Sequence, residues 1–176
     1  MFQSFCLKYQ AKPLLIELEC GDYIEQPMFN KVVYCENLQE ALQTARAVSD
    51  EIQTNNWPLK RLKIEIPDYL AGHLQLEPSG HRPYFEWHGK IHGEITASLR
   101  ELCRLHKVHL SLNALKRAEH FRFITLREYG SAGVFHQRVN SLKAALSDAD
   151  WPLLKDISEY CVYDNNVNLD NGWLPK

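Results

Sequence analysis

Hydrophobic positions change period several times along the chain, and each change marks an element. Leu14-Leu15-Ile16-Glu17-Leu18-Glu19-Cys20 alternates over its second half and stops at Gly21-Asp22, which predicts a strand and a turn. Phe5 to Tyr9 reads as a short strand beside it. The β-branched, aromatic run Lys31-Val32-Val33-Tyr34-Cys35, which follows Pro27, predicts a further strand. Asn37 then stands as an N-cap with Glu40 three residues on, and Leu38, Ala41, Leu42, Ala45, Val48 and Ile52 form a helical stripe that ends at Asn55-Asn56-Trp57-Pro58. From Leu59 to Ile66, Leu62, Ile64 and Ile66 alternate with Arg61, Lys63 and Glu65, a strand with one buried and one wet face.

Pro67 to Pro83 is rich in glycine and proline and reads as a connector. Tyr84 to His92 follows, with Phe85, Trp87 and Ile91 on one face and Glu86, His88 and Lys90 on the other. A helix near Glu94 to His106, strands at Val108 to Leu112 and Phe121 to Tyr129, a helix marked by Phe135, Val139, Leu142 and Leu146, and a last strand near Lys155 to Tyr163 complete a β-α-β-β-α-β order.

The two halves match each other. Adding 94 to Ala41, Ala45, Val48, Ile52, Trp57, Pro58 and Leu59 gives Phe135, Val139, Leu142, Leu146, Trp151, Pro152 and Leu153. Upstream, Phe29 to Val32 lies against Phe121 to Ile124 at an offset of 92. The expected fold is therefore α+β, a tandem of two degenerate ferredoxin-like modules with antiparallel sheets. The first, residues 1–68, is shortened by loss of its opening αβ unit; residues 69–83 connect it to a complete module at 84–164, and 165–176 form a C-terminal turn and tail. Together they make one compact unit, the two sheets packing together or extending into one curved sheet with helices outside.

Composition narrows the function classes. The chain is 45% hydrophobic, 11% aromatic and 24% charged, which is ordinary for a soluble globular protein. A net charge of −2 gives no general pull towards nucleic acid or anionic membrane, and the expected wet sheet face is charged rather than aromatic, so nucleic acid is an unlikely partner. No apolar run approaches the ~20 residues of a membrane helix, and no leader or lipidation motif is present, which points away from membranes. Five scattered cysteines without a C-x-x-C pair suit reduced thiols in the cytoplasm. Gly-rich phosphate loops are absent, and no cofactor is expected.

Alternation gathers the candidate chemistry on one face of the second module: Glu86, His88 and Lys90; His109, Ser111 and Asn113; Thr125 and Arg127; Glu159, Cys161 and Tyr163. His88, His109 and Ser111 are the candidate catalytic groups, and Lys90, Arg127, Asn113 and Thr125 the candidate anion contacts, for a small anionic ligand, phosphate compounds included, with acid-base hydrolysis as the reaction. His109-Leu110-Ser111 resembles the His-x-Ser/Thr signature of the two-histidine phosphoesterases, whose bilobal fold pairs two sheets around a cleft. The resemblance covers three residues, and where that family carries a second such motif the first half has Glu17 and Glu19, so no family is assigned. Two alternatives stand beside this: a non-catalytic interaction or homodimer module using an open sheet edge, and a metal-dependent enzyme using Glu86, His88 and His109 with Glu159. At the acid-base site itself no metal is expected. The tail Asp164 to Asp170 mimics the first ligands of a calcium loop but lacks its glycine and closing glutamate.

Overall fold

A continuous antiparallel sheet carries both halves of the chain. The computed structural model describes residues 2–73, 82–116 and 120–173. In chain order the elements are α1 (Phe2–Lys8), β1 (Lys12–Leu18), β2 (Glu25–Asn30), α2 (Leu38–Thr54), β3 (Lys63–Pro67), β4 (Tyr84–His92), α3 (Ala97–His106), β5 (His109–Asn113), β6 (Phe121–Glu128), α4 (Ala132–Asp148) and β7 (Leu153–Asp164), with 3₁₀ turns at Asp68–His73, Ala114–Lys116 and Val167–Asp170. The strand order is β2-β1-β5-β6-β4-β7-β3. Strands from before residue 68 thus extend the second half's sheet at both ends, β1 pairing with β5 and β3 with β7. Residues 74–81, which include His81 and most of the expected connector, and the tail end 174–176 lie outside the described residues.

The core forms where the alternation of β4 predicts it. Phe85, Trp87 and Ile91 pack with Leu110, Ile124 and Leu126 under Leu99 and Cys103 of α3 and Phe135, Val139, Leu142 and Leu146 of α4. Burying each such side chain contributes roughly 1.5–3 kcal/mol, so this face dominates the stability. Gly89 shares it because Trp87 folds its ring across the strand: a Cβ there would lie 2.2 Å from the indole. The indole Nε1 donates to Asp156 at 2.9 Å, so the one polar atom of the ring is paired.

Two expected strands are otherwise. Phe5 to Lys8 belongs to helix α1 and Tyr9 to the turn after it, closed by Gln10 at φ 53 and by the Ala11 N–H donating to the Cys6 carbonyl at 2.8 Å; an apolar run this short has no period that separates helix from strand. Lys31 to Cys35 lies outside the sheet, and the strand runs instead through Glu25–Asn30. Pro27 is tolerated inside β2 because that strand is at the sheet's edge, where a missing N–H leaves no ladder bond unmade.

Several local structures recur. α2 and α4 have 17 residues each and begin at side-chain caps, Asn37 and Ser131. Each is followed by a left-handed residue, Asn56 at φ 60 and Asp150 at φ 58. Trp57 N–H then donates to Ile52 O at 3.3 Å, and Trp151 N–H to Leu146 O at 2.8 Å. α1 and α3 end alike, through Gln10 at φ 53 and Lys107 at φ 52, each followed by an N–H bond back to a buried cysteine's carbonyl, Cys6 or Cys103.

Residues 165–173 cross the face that α3 and α4 do not cover. Gln26 Nε2 on β2 donates to Leu169 O at 3.1 Å, Trp173 packs on Leu18 of β1 and donates to Leu110 O at 3.2 Å, and Asn166 reaches Lys60 O at 2.9 Å just before β3. One short segment can touch both end strands only because the sheet curls, with its uncovered face inward. Gly21, at φ 119, admits the tail: a Cβ there would stand 3.0 Å from Asn171 O.

Gly89→Ala should destabilise the protein by about 1–3 kcal/mol, the range for overpacking a close-packed core, in urea titrations followed by tryptophan fluorescence. An unchanged midpoint would mean that Trp87 swings away from the strand freely.

Candidate functional site

Cross-strand register sorts the inward face into rows. Glu86, Arg127 and Glu159 make one; His88, Thr125, His109 and Ile157 make the next; Lys90, Phe123, Lys155 and Ser111 make a third. In the first row Glu86 is 2% exposed. Its Oε1 accepts from Arg127 Nε at 2.8 Å, its Oε2 from Lys63 Nζ at 2.5 Å. Arg127 Nη2 also donates to Asp170 at 2.6 Å, Asp170 accepts from Arg61 Nη1 at 2.9 Å, and Arg61 Nε donates to Asp164 at 2.9 Å. Tyr84 Oη donates to Asp164 at 2.6 Å. A buried chain of charges thus ties β3, β4, β6, β7 and the tail together.

The network reaches solvent at His88, whose side chain is 30% exposed, and at Glu159, 26% exposed. His88 Nδ1 lies 3.1 Å from Thr125 Oγ1, and Nε2 lies 3.4 Å from Glu86 and 3.8 Å from Glu159. Burial pulls the imidazole down, but the hydrogen bond to Glu86 and the fields of Glu86 and Glu65 outweigh it, so His88 binds its proton more tightly than a free imidazole. Burial and the neighbouring Glu65 push Glu159 up. Burial also opposes ionisation of Glu86, yet Lys63 and Arg127 win and hold it well below the usual carboxylate range. Two groups of raised proton affinity therefore sit at the mouth, backed by a carboxylate held ionised by Lys63 and Arg127.

The expected site residues divide between this mouth and other duties. His88 and Thr125 are in contact. His109 faces Thr125 from β5, its ring 6.1 Å from that of Trp173, and burial followed by the Arg127 charge lowers its proton affinity. Ser111 is buried in the third row. Asn113 Oδ1 accepts the backbone N–H groups of Leu15 at 3.4 Å and Leu115 at 3.2 Å, so it holds the chain's path. Arg127 is 3% exposed and spends its donors on Glu86 and Asp170. Lys90 Nζ lies 3.6 Å above the Phe121 ring and faces Lys155 across the ladder. Burial pushes the Cys161 thiol up to about 12 despite Lys63 nearby, which disarms it as a nucleophile.

A metal could be held by Glu65, Glu86 and His88, whose ligating atoms lie within 4.8 Å of one another; His109 is not in this group. Lys63 Nζ, however, lies 2.5 Å from both Glu65 Oε1 and Glu86 Oε2, so an ammonium already supplies the positive charge there. The Asp164 and Asp170 carboxylates, which suggested a calcium loop, are likewise satisfied by Arg61 and Arg127.

Sequence reasoning missed Arg61, Lys63, Asp170 and Lys155 as neighbours of this face, and Tyr163 was the one aromatic residue it placed there. Phe121 and Phe123 share the parity of Thr125 and Arg127, so the alternation rule carried two steps back along β6 was enough to find them. No family model, curated protein or solved structure matches the chain.

His88 should titrate above the ordinary imidazole value of about 6.5 in ¹⁵N NMR. Because its folded-state proton affinity is raised, the stabilisation it adds is complete below about pH 6.5 and is lost as pH rises through the folded midpoint. The stability difference between the native protein and His88→Gln should therefore shrink on going alkaline; a difference that grew would mean a neutral ring. Glu86→Gln should cost about 3–5 kcal/mol in urea titrations, the range for removing one partner of a buried ion pair.

Proposed function

We propose that the inward face binds a small anionic ligand, with the anion held by Lys90 and Lys155 and acid-base chemistry supplied by His88 and Glu159. The observation that carries this is the third row: two lysines stand directly opposite each other. Like charges so placed destabilise a sheet, and an anion between them would reverse the sign. His88 lies two residues along β4 from Lys90, about 7 Å at strand rise, and Glu159 four residues along β7 from Lys155, about 13 Å. A phosphomonoester-sized molecule spans the distance from the lysines to His88, its anionic group at the lysines and its leaving or attacked oxygen at the imidazole, with Glu159 on the far side of His88. Arg127 and Asn113 support the ligand indirectly, by fixing Glu86 and the backbone.

The scaffold under this site is, in the same proposal, a duplicated ferredoxin-like unit. β4, α3, β5, β6, α4 and β7 have the β-α-β-β-α-β order, and the strands lie as β7-β4-β6-β5, the fourth, first, third and second of that unit. The matched caps, left-handed closures and tryptophan contacts of α2 and α4, with those of α1 and α3, support a first unit made of α1, β1, β2, α2 and β3. On that reading the first unit keeps its opening helix and lacks only an opening strand.

Titration with inorganic phosphate should shift amide resonances around Lys90 and Lys155, and Lys90→Ala or Lys155→Ala should weaken the effect at least tenfold. Lys143→Ala is the control, since Lys143 pairs with Asp156 on the helix-covered side. Equal binding by all three variants, or shifts spread over the surface, would remove the anion site. His88→Gln should keep binding and lose turnover of an activated aryl phosphate; binding with no turnover by the native protein would leave a ligand-binding protein and dispose of hydrolysis.

A further inference from the structure

We propose that the gap between β2 and β3, the two end strands of the sheet, accepts one extended strand from another polypeptide. The inference rests on the duplicated-scaffold reading and concerns a surface apart from the ligand face. In the second half, β4 runs between β6 and β7 and is hydrogen-bonded to both. The matched positions make β2 with residues 31–35 the counterpart of β6, and β3 the counterpart of β7. These counterparts are the sheet's two ends, and no described strand runs between them.

The unpaired segment itself shows what is missing. Lys31 to Cys35 has a strand's composition yet stands outside the sheet, with Val32 75% and Tyr34 96% exposed. At the offset of 92 that matches Phe29 to Val32 with Phe121 to Ile124, it corresponds to residues 123–127, which pair with Glu86 to Lys90 of β4. A strand-forming sequence is left irregular where its counterpart has a neighbour and it has none.

Packing points the same way. Phe135, Val139, Leu142 and Leu146 of α4 are fully buried, against a core that includes Phe85, Trp87 and Ile91. Their counterparts on α2, Ala41, Ala45, Val48 and Ile52, are only half-buried. The helix thus presents an apolar stripe that lacks the side chains of a middle strand. Both edges are already held in place: neighbouring tail residues grip Gln26 of β2 through the Leu169 carbonyl and Arg61, just before β3, through Asp170.

The occupant must offer hydrogen bonds along both of its edges. Every described strand of this chain already uses at least one edge, so a second copy could cover β2 or β3 but not fill the place between them. A lone extended segment with alternating apolar and polar residues fits, its apolar side chains turned to α1 and α2. Its main chain would supply the affinity and its alternate side chains the specificity.

The test uses a labelled peptide with the sequence of Tyr84–Gly93, the strand in the equivalent place, titrated into the full chain. Saturable binding is expected, with new exchange protection at residues 31–35 and 63–67 and none changed in β6 or β7. A Phe85→Asp/Trp87→Asp peptide should bind at least tenfold more weakly. No binding, equal binding of both peptides, or protection of only one edge would overturn the slot. So would a dimer in sedimentation that protects these amides without peptide, since a second copy would then be the occupant. The same spectra separate the two failures: if α2 and the left-handed Asn56 are present and no peptide binds, the slot alone fails; if they are absent, the duplicated scaffold fails with it.

Discussion

The Glu86 carboxylate, held between Lys63 and Arg127, is the contact on which the inner half of the structure depends. Burying a charge is tolerable only if it is paired and hydrogen-bonded, and each partner here belongs to a different element: Lys63 to β3, Arg127 to β6. Arg127 in turn requires Asp170, and Asp170 shares Arg61 with Asp164. One buried anion on β4 therefore specifies where β3 and the tail must lie. The apolar face under α3 and α4 supplies the larger driving force but would tolerate other curvatures of the sheet; the ionic chain does not, because any other curl leaves a charge without its partner.

Much of the outer, helix-covered half was legible from local periodicity. The faces of Tyr84–His92, the α2 cap at Asn37 and the α4 stripe all stand as read, since each depends on neighbours three or four residues away along a helix or two along a strand. What was hidden depends on distant partners. Lys31 to Cys35 satisfies every local rule for a strand, yet a strand exists only where another offers hydrogen bonds. Phe5 to Lys8 took the helical alternative because Phe5 stacks edge-on against Trp57, with centroids 4.7 Å apart. That contact spans fifty residues and leaves no trace in a five-residue window.

The site was legible in part for the same reason. Alternation put Glu86, His88 and Thr125 on one face, and they are indeed neighbours there. It could not show that Arg127 is enclosed by carboxylates, because Asp170 arrives from a tail whose composition suggests only turns. Nor could it show Lys63 beside Glu86: those residues sit on strands separated by β7 in the sheet, and it takes the curl and a long side chain to join them.

The charges of this network do not balance, and the imbalance connects stability to chemistry. Arg61, Lys63 and Arg127 face five carboxylates: Glu65, Glu86, Glu159, Asp164 and Asp170. At the buried end Arg61 and Arg127 are already engaged with Asp164, Asp170 and Glu86. The excess negative charge instead raises proton affinity where solvent can reach, at His88 and, together with burial, at Glu159. Their raised proton affinities are thus the outer expression of the packing that holds Glu86 ionised within. The raised proton affinities at the mouth follow from the way the curled sheet is closed. In the proposed function these two groups are the acid-base pair, tuned by residues that never touch the ligand, and Lys90 and Lys155 select the anion that reaches them.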